Sequence, residues 1–535
     1  MKKKTPILKQ KEKQKASPSV KAVDAKPKRA LPFIPPFVVL LLMLWIFAGM
    51  VYGDVFYMAE QHSFFAFDPL LMKNVTDQSN GWLVMIGRFF LLSYHIPVLG
   101  GLLWALVITS AMWMLGYALR CTGYLRLIPL VLPFLFAVYV MSKGLNLYYQ
   151  FDPHWLFSYP LVLWCVALVA ALVVRLVTHR HIPSLLRDGS ADTSRQRLTI
   201  GCSLLVMFVA LMIDAVPFHV NERATATMQR QLQEQDWEAM LRTAEGVKRP
   251  GRTVACYRAI ALSQTGQISS RLFDTHYQYP DLGLKNRAGQ VDNGTEYYAA
   301  DGDFYAGLIN TSYHESMERT VIDGITVYRL KRMFLCALLN NERQLAYKYY
   351  TILSHHPLEG KFLSKYGPMM QKSDAILEEP NFRLVAELMP VDDSFEQWYR
   401  TPYFIGYNIM LTAGRSRRAL ENSLVACLYA KELTAFYQRT APLQGESLPQ
   451  SFDEALAMIG IKDGNSLQPY VVTPLSTERV RSFLRDAVQY KGQDRKEVYY
   501  ELSPKYQGYY PFYYYFQNIP DKNYMKYDRE SGRVN

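Results

Sequence analysis

The sequence lacks the short motifs that announce the common mechanisms. It holds no GxxxxGK[ST] loop, no GxGxxG turn, no GxSxG elbow and no HExxH helix. Chemistry resting on a cradled phosphate, a strained serine or a helix-borne zinc therefore loses its usual support. Cysteine is scarce: Cys121, Cys165, Cys202, Cys256, Cys336 and Cys427 are scattered over 535 residues, and the nearest two lie 37 apart. No CxxC pair exists, so neither a zinc site nor a redox pair is indicated, and buried free thiols are expected in the C-terminal half. The pairs His179/His181 and His355/His356 are too close in sequence to set two ligands on one helical face. Solvated polar groups are expected there.

Two further absences concern residues 220–535. They contain no apolar run comparable to those before Phe218, and they hold no charge surplus, with 38 Lys and Arg against 37 Asp and Glu. A nucleic-acid-binding domain should carry its own basic face, so that class is set aside. The surplus lies in residues 1–219, at 21 against 10.

What that first part does have is length in its apolar runs. Leu198 to Phe218 is 21 residues with Asp214 as its one ionisable group, enough to cross a hydrocarbon core about 30 Å thick as a helix. Four more spans are expected at Pro36–Tyr57, Val98–Leu119, Leu127–Met141 and Leu156–Val177. Gly81 to His95 is apolar but carries Arg88 at its middle, which favours an interfacial or re-entrant helix over a full crossing. Residues 1–36, with ten Lys and Arg29 against Glu12 and Asp24, predict a disordered basic tail.

Five spans place the ends of the chain on opposite sides. Segments 1–36, 120–126 and 175–197 hold 18 Lys and Arg, whereas the alternate loops 58–96 and 143–155 hold three. The positive-inside rule then puts the tail in the cytoplasm and the C-terminal part outside, in the periplasm of a cell with an inner membrane. The expected organisation is all-α: a tail at 1–36, a membrane domain with about five spans at 37–219, and a soluble extracytoplasmic helical domain at 220–535.

Within the soluble part, DWEAMLRTAEGVKRP (236–250) and RQLAYKYYTILSHHP (343–357) each place Ala at the fourth position and Pro eleven residues later. A weaker copy spaces Leu428 and Ala435 as Leu339 and Ala346 are spaced. Small Ala where helices approach, with Pro closing the second helix, resembles the tetratricopeptide repeat, although Thr243 stands where that family usually has an aromatic. The resemblance implies stacked helix pairs with a shared core and a concave surface, an α-solenoid. A helical bundle without repeats is the alternative. Residues 273–303 read as a long loop, in which Asp292, Glu296, Asp301 and Asp303 miss the calcium-loop spacing and are expected to be solvated. The aromatic strip from Tyr509 to Phe516 is expected to dock into the domain core rather than to form a stacking platform.

Asp54, Asp68 and Arg88 faintly resemble the first outer loop of polytopic glycosyltransferases that use lipid-linked sugars, where an acid near the first span acts as base or metal ligand. Five spans are few for that family and no second acidic motif matches. The plainer expectation makes Asp54 and Asp68 solvated carboxylates and Arg88 a snorkelling anchor. As a whole, the layout resembles an uncharacterised family of bacterial multi-spanning membrane proteins with a C-terminal tetratricopeptide-like region. That implies a membrane-anchored, non-catalytic scaffold whose partners are the lipid bilayer and a protein or cell-envelope component. The glycosyltransferase class stands second and a transporter subunit third; no catalytic, cofactor-binding or metal residue is assigned.

Overall fold

A computed structural model describes residues 35–121, 123–149, 152–178, 194–275, 298–372, 375–389, 416–429, 431–463 and 470–517. The basic tail up to residue 34, His179 and His181, and most of the 273–303 segment with Asp292 and Glu296 lie outside them. The described residues form helices and no strand. Four helices are long and apolar enough to cross a membrane, Pro97–Ala118, Tyr124–Ser142, Trp155–Val177 and Leu198–Phe218, and they match the expected spans closely.

The first expected span differs from a straight crossing. Helix α1 (Pro36–Ile46) loosens into a π-helical turn at Phe47–Val51 and then bends by 64° into α2 (Gly53–Gln61). A close helix contact lies at this turn: a Cβ at Gly101 would lie 2.4 Å from the backbone of Gly49. Two glycines let the backbones approach, and side chains there would push the helices apart. The Trp45 indole donates to the Val98 carbonyl at 2.9 Å across the same contact. After α2 come the short helices α3 (Pro69–Thr76) and α4 (Gly81–Leu91), then α5 (Pro97–Ala118). At 11 residues α4 is about 16 Å long, too short to cross. It presents Trp82, 64% exposed, while Gly87 packs on the backbone of His154. Helices α6 (Leu127–Ser142), α7 (Asn146–Tyr149), α8 (Trp155–Thr178) and α9 (Ser194–Ile213) complete the apolar bundle.

One end of this bundle brings Gly116 near Phe37 and Pro129, and the other brings Gly144 near Glu222 and Gly87 near His154. The segments 58–96 and 143–155 and the start of the soluble part therefore gather at the same end.

Beyond Phe218 the chain builds helix pairs, and five of them among the described residues share one turn. They are α10 (Val220–Glu234) with α11 (Trp237–Glu245), α12 (Arg252–Gln264) with α13 (Ile268–Arg271), and α14 (Ala299–Tyr305) with α15 (Ile309–Asp323). The others are α16 (Val327–Leu339) with α17 (Arg343–Ser354), and α20 (Arg417–Tyr429) with α21 (Leu433–Arg439); α18 (Gly360–Tyr366) and α19 (Pro380–Leu388) lie between. Each first helix ends at a left-handed residue, respectively Gln235, Gly266, Gly307, Asn341 and Lys431. The next amide reaches back to the carbonyl five residues earlier, as in Glu342 to Ala337 and Glu432 to Cys427, at 2.8 and 2.9 Å. That bond satisfies the orphan carbonyls of the helix end and sets the following helix antiparallel. The second helix starts two residues after the left-handed one in every pair.

The resulting core is continuous, with Ala346, Leu353, Cys336 and Cys427 fully buried and the three thiols of this half, Cys256 included, unbridged. Four helices close the chain: α22 (Gln450–Asp463), α23 (Pro474–Val488), α24 (Arg495–Tyr506) and α25 (Tyr510–Phe516). The aromatic strip forms α25 and docks as expected: Tyr510, Phe512 and Tyr513 are buried, and their hydroxyls at 510 and 513 donate to the carbonyls of Leu428 and Tyr429.

The bundle and the helical domain exchange core residues. Phe64, Phe65 and Met72, from the segment after α2, lie in the core of the helical domain, while Ala226 and Tyr328 pack into that of the bundle.

Candidate functional site at the seam of bundle and helical domain

Helix α2 leaves the first span and runs against α10, and the sequence explains why polar groups meet there. The apolar run ends in Glu60, Gln61 and His62, and α10 offers Arg223, Thr227 and Arg230 at helical spacing on one face. Arg223 donates to the Val51 carbonyl at 3.0 Å, where the π turn has opened the backbone. Asp54 accepts from Thr227 at 2.7 Å and pairs with Arg230 at 2.6 Å. Asp54 is thus no free carboxylate: it fastens the helical domain to the first span. Asp68 caps α3 by accepting from the Leu70 amide at 2.8 Å and lies 3.4 Å from His355. Arg88 pairs with Asp152 and donates to the Phe64 carbonyl at 3.1 Å. The reason is local, because α4 packs on the start of α8, with Gly87 against His154, and the Arg88 side chain is 13% exposed.

Deeper in the seam a buried ion pair of the helical domain is bonded by Gln61 of α2. Lys331, on α16, meets Glu359 at 2.6 Å and donates to Gln61 at 2.8 Å, and Gln61 in turn donates to Glu60 and Glu359. Burial works to raise the Glu359 carboxyl, but the Lys331 charge and the hydrogen bonds from Lys331 and Gln61 outweigh it and hold it below the ordinary range. Burial lowers His356 next to them.

The next residue of α16, Arg332, is buried against the ring of Phe304 at 4.1 Å and pairs with Asp301 at 2.6 Å. Asp301 also accepts from the hydroxyls of Tyr257 and Tyr328, at 2.8 and 2.5 Å. Asp301 and Asp303 were expected in a solvated loop; both are buried on α14 instead. The first is neutralised by Arg332 and satisfied by two tyrosines. The second has no hydrogen-bond partner among the described residues, and burial, with the Glu315 charge adding to it, pushes its carboxyl well above the usual range.

These elements enclose a cleft of about 370 Å³ lined by α2, α10, α16, α18 and α19. Its charged lining is Lys331, Arg332, Lys361 and Lys365 against Glu234 and Glu359, with His95 at one side. Tyr57, Tyr305, Phe362, Tyr366 and Phe382 supply ring faces. Among the described residues no three His, Cys, Asp or Glu side chains converge as metal ligands would. The chemistry available is therefore charge and hydrogen-bond recognition beside aromatic surface.

A family model described as a family of unknown function (DUF6057) matches residues 29–212 and 147–517. The chain belongs to that family. Compared with curated proteins and with solved structures, it matches none. The DUF6057 match covers both the bundle and the helical domain, so the seam between them lies inside the family's extent.

Sequence reasoning passed over Lys331, Arg332, Glu359 and His95. A signal for two of them exists: in VYRLKRMFLCALL the apolar residues surround Arg329, Lys331 and Arg332 on all sides, and charges on a helix with no polar face must be paired inside the protein. Glu359 carries no such mark.

Proposed function

We propose that this protein is a membrane-anchored binding protein, non-catalytic, that holds a domain of stacked helix pairs on the extracytoplasmic face of the inner membrane. The observation that carries the reading is the seam itself, where Asp54 pairs with Arg230 and Gln61 bonds Lys331 and Glu359, which together seat the helical domain on the bent first span around an open cleft. The five recurring turns support a repeat of the tetratricopeptide kind, since successive copies at residues 235, 266, 307 and 341 are 31, 41 and 34 residues apart. The gathering of loops 58–96 and 143–155 with the start of the helical domain supports an orientation opposite to the basic tail. The partner is a protein or cell-envelope component on that side. Nothing favours the glycosyltransferase reading: Asp54 and Arg88, the residues on which it rested, are each engaged in an ion pair.

Alkaline phosphatase fused after Asn535 should be active and green fluorescent protein dark. Deleting residues 221–535 should reproduce the null phenotype, whereas Asp54→Asn should leave partial function, because it weakens one contact of several. A catalytic base would lose orders of magnitude on that change. A dead Asp54→Asn beside an active truncation would overturn the binding reading.

A further inference from the structure

We propose that the cleft binds a small anionic molecule in which a carboxylate or phosphate sits beside a sugar or similar ring. This rests on the binding reading above and deepens it by naming the ligand class. Of the four cations that line the cleft, Lys331, Arg332 and Lys365 are paired with Glu359, Asp301 and Glu379. Lys361 makes no ion pair or hydrogen bond through its ammonium among the described residues, and it stands exposed on the rim. Arg332 is the stronger argument. Its side chain is 8% exposed and bonds Asp301 through Nη2, with the Tyr305 hydroxyl beside the guanidinium, yet its Nε and Nη1 make no well-directed hydrogen bond among the described residues. Buried guanidinium N–H groups left without acceptors are costly, and an anionic oxygen is the acceptor they match best.

The ring half of the ligand follows from the walls. Tyr366 packs against Phe382 and Phe362 with centroids 5.7 and 4.9 Å apart, and Tyr305 lies 5.4 Å from the Arg332 guanidinium. These rings are held by one another, so a face offered to a ligand costs little ordering. A volume of about 370 Å³ suits one or two rings and excludes a folded partner.

The test uses the full-length protein in detergent, followed by thermal unfolding with inorganic phosphate, glucuronate, glucose, or potassium chloride at matched ionic strength. Millimolar phosphate and glucuronate should each raise the transition, glucuronate by more, and glucose and chloride should not. Arg332→Lys keeps a charge for Asp301 but loses the free N–H groups, and it should weaken glucuronate binding roughly tenfold. Lys361→Gln, at an exposed position that cannot upset folding, should weaken it roughly threefold. No shift with either anion, an equal shift with glucose or chloride, a shift with phosphate alone, or parent-like binding by both variants would overturn the proposal. The fusions and the truncation do not depend on Arg332 or Lys361, so failure here would leave the anchored-binding reading standing.

Discussion

Asp301 and Asp303 lie two residues apart on α14, are equally buried, and meet opposite fates. Asp301 is paired with Arg332 and accepts from two tyrosine hydroxyls; Asp303 has no hydrogen-bond partner among the described residues, and burial, with the Glu315 charge adding to it, pushes its carboxyl well above the usual range. The stability consequence has a definite sign. The folded state keeps the Asp303 proton above pH 3.8 while the unfolded chain releases it, so the folded state binds more protons and stability falls as pH rises through that window. Asp303→Asn cannot ionise and should be more stable than the parent at pH 7 by about 1 to 3 kcal/mol. The advantage should vanish below about pH 4, and chemical denaturation at the two pH values checks it. Neither fate is visible in the sequence, where both acids sit in a Gly, Asn and Tyr-rich stretch that has the composition of a solvated loop. Burial is decided by α15 and α16 closing over α14, contacts that composition does not encode.

At the scale of the helices, apolar length was the legible quantity. Spans two to five could be placed from it nearly to the residue, because a run of about 20 apolar residues has few other destinations. The first span was legible in extent and illegible in shape: its bend coincides with the meeting of Gly49 and Gly101, a pair 52 residues apart whose contact only the packed bundle reveals. The α16–α17 pair was legible through Ala346, which is fully buried where the two helices touch. Its turn was not, since Gln235, Asn341 and Lys431 take the left-handed conformation usually left to glycine. Ala346→Leu should overpack that contact and destabilise the helical domain by about 1 to 3 kcal/mol. A soluble fragment from Asn221 onward would read this as a lowered midpoint in urea with an unchanged helical circular dichroism spectrum. Gly101→Leu should act on the bundle instead, pushing α1 away from α5, and should lower the yield of folded full-length protein from membranes.

For the molecule as a whole, the division into an apolar bundle and a helical domain could be read from where apolar runs stop, but the joint between them could not. Asp54, Asp68 and Arg88 drew notice only as polar residues near a membrane, and their partners Arg230, His355 and Asp152 are 176, 287 and 64 residues away. Sequence periodicity speaks for one element at a time, and long-range ion pairs have no period. The central claim is that the helical domain is seated on the bent first span and does not hang from the bundle by a free linker. The Thr227 hydroxyl donates to Asp54 at 2.7 Å across this joint, so a reducible thiol crosslinker of short span between cysteines at the two positions reports the seating. Asp54→Cys with Thr227→Cys, crosslinked in intact membranes and cleaved by a protease between residues 61 and 220, should leave fragments joined until reductant is added. Fragments that separate without reductant, at the rate seen with either cysteine alone, would contradict the seating.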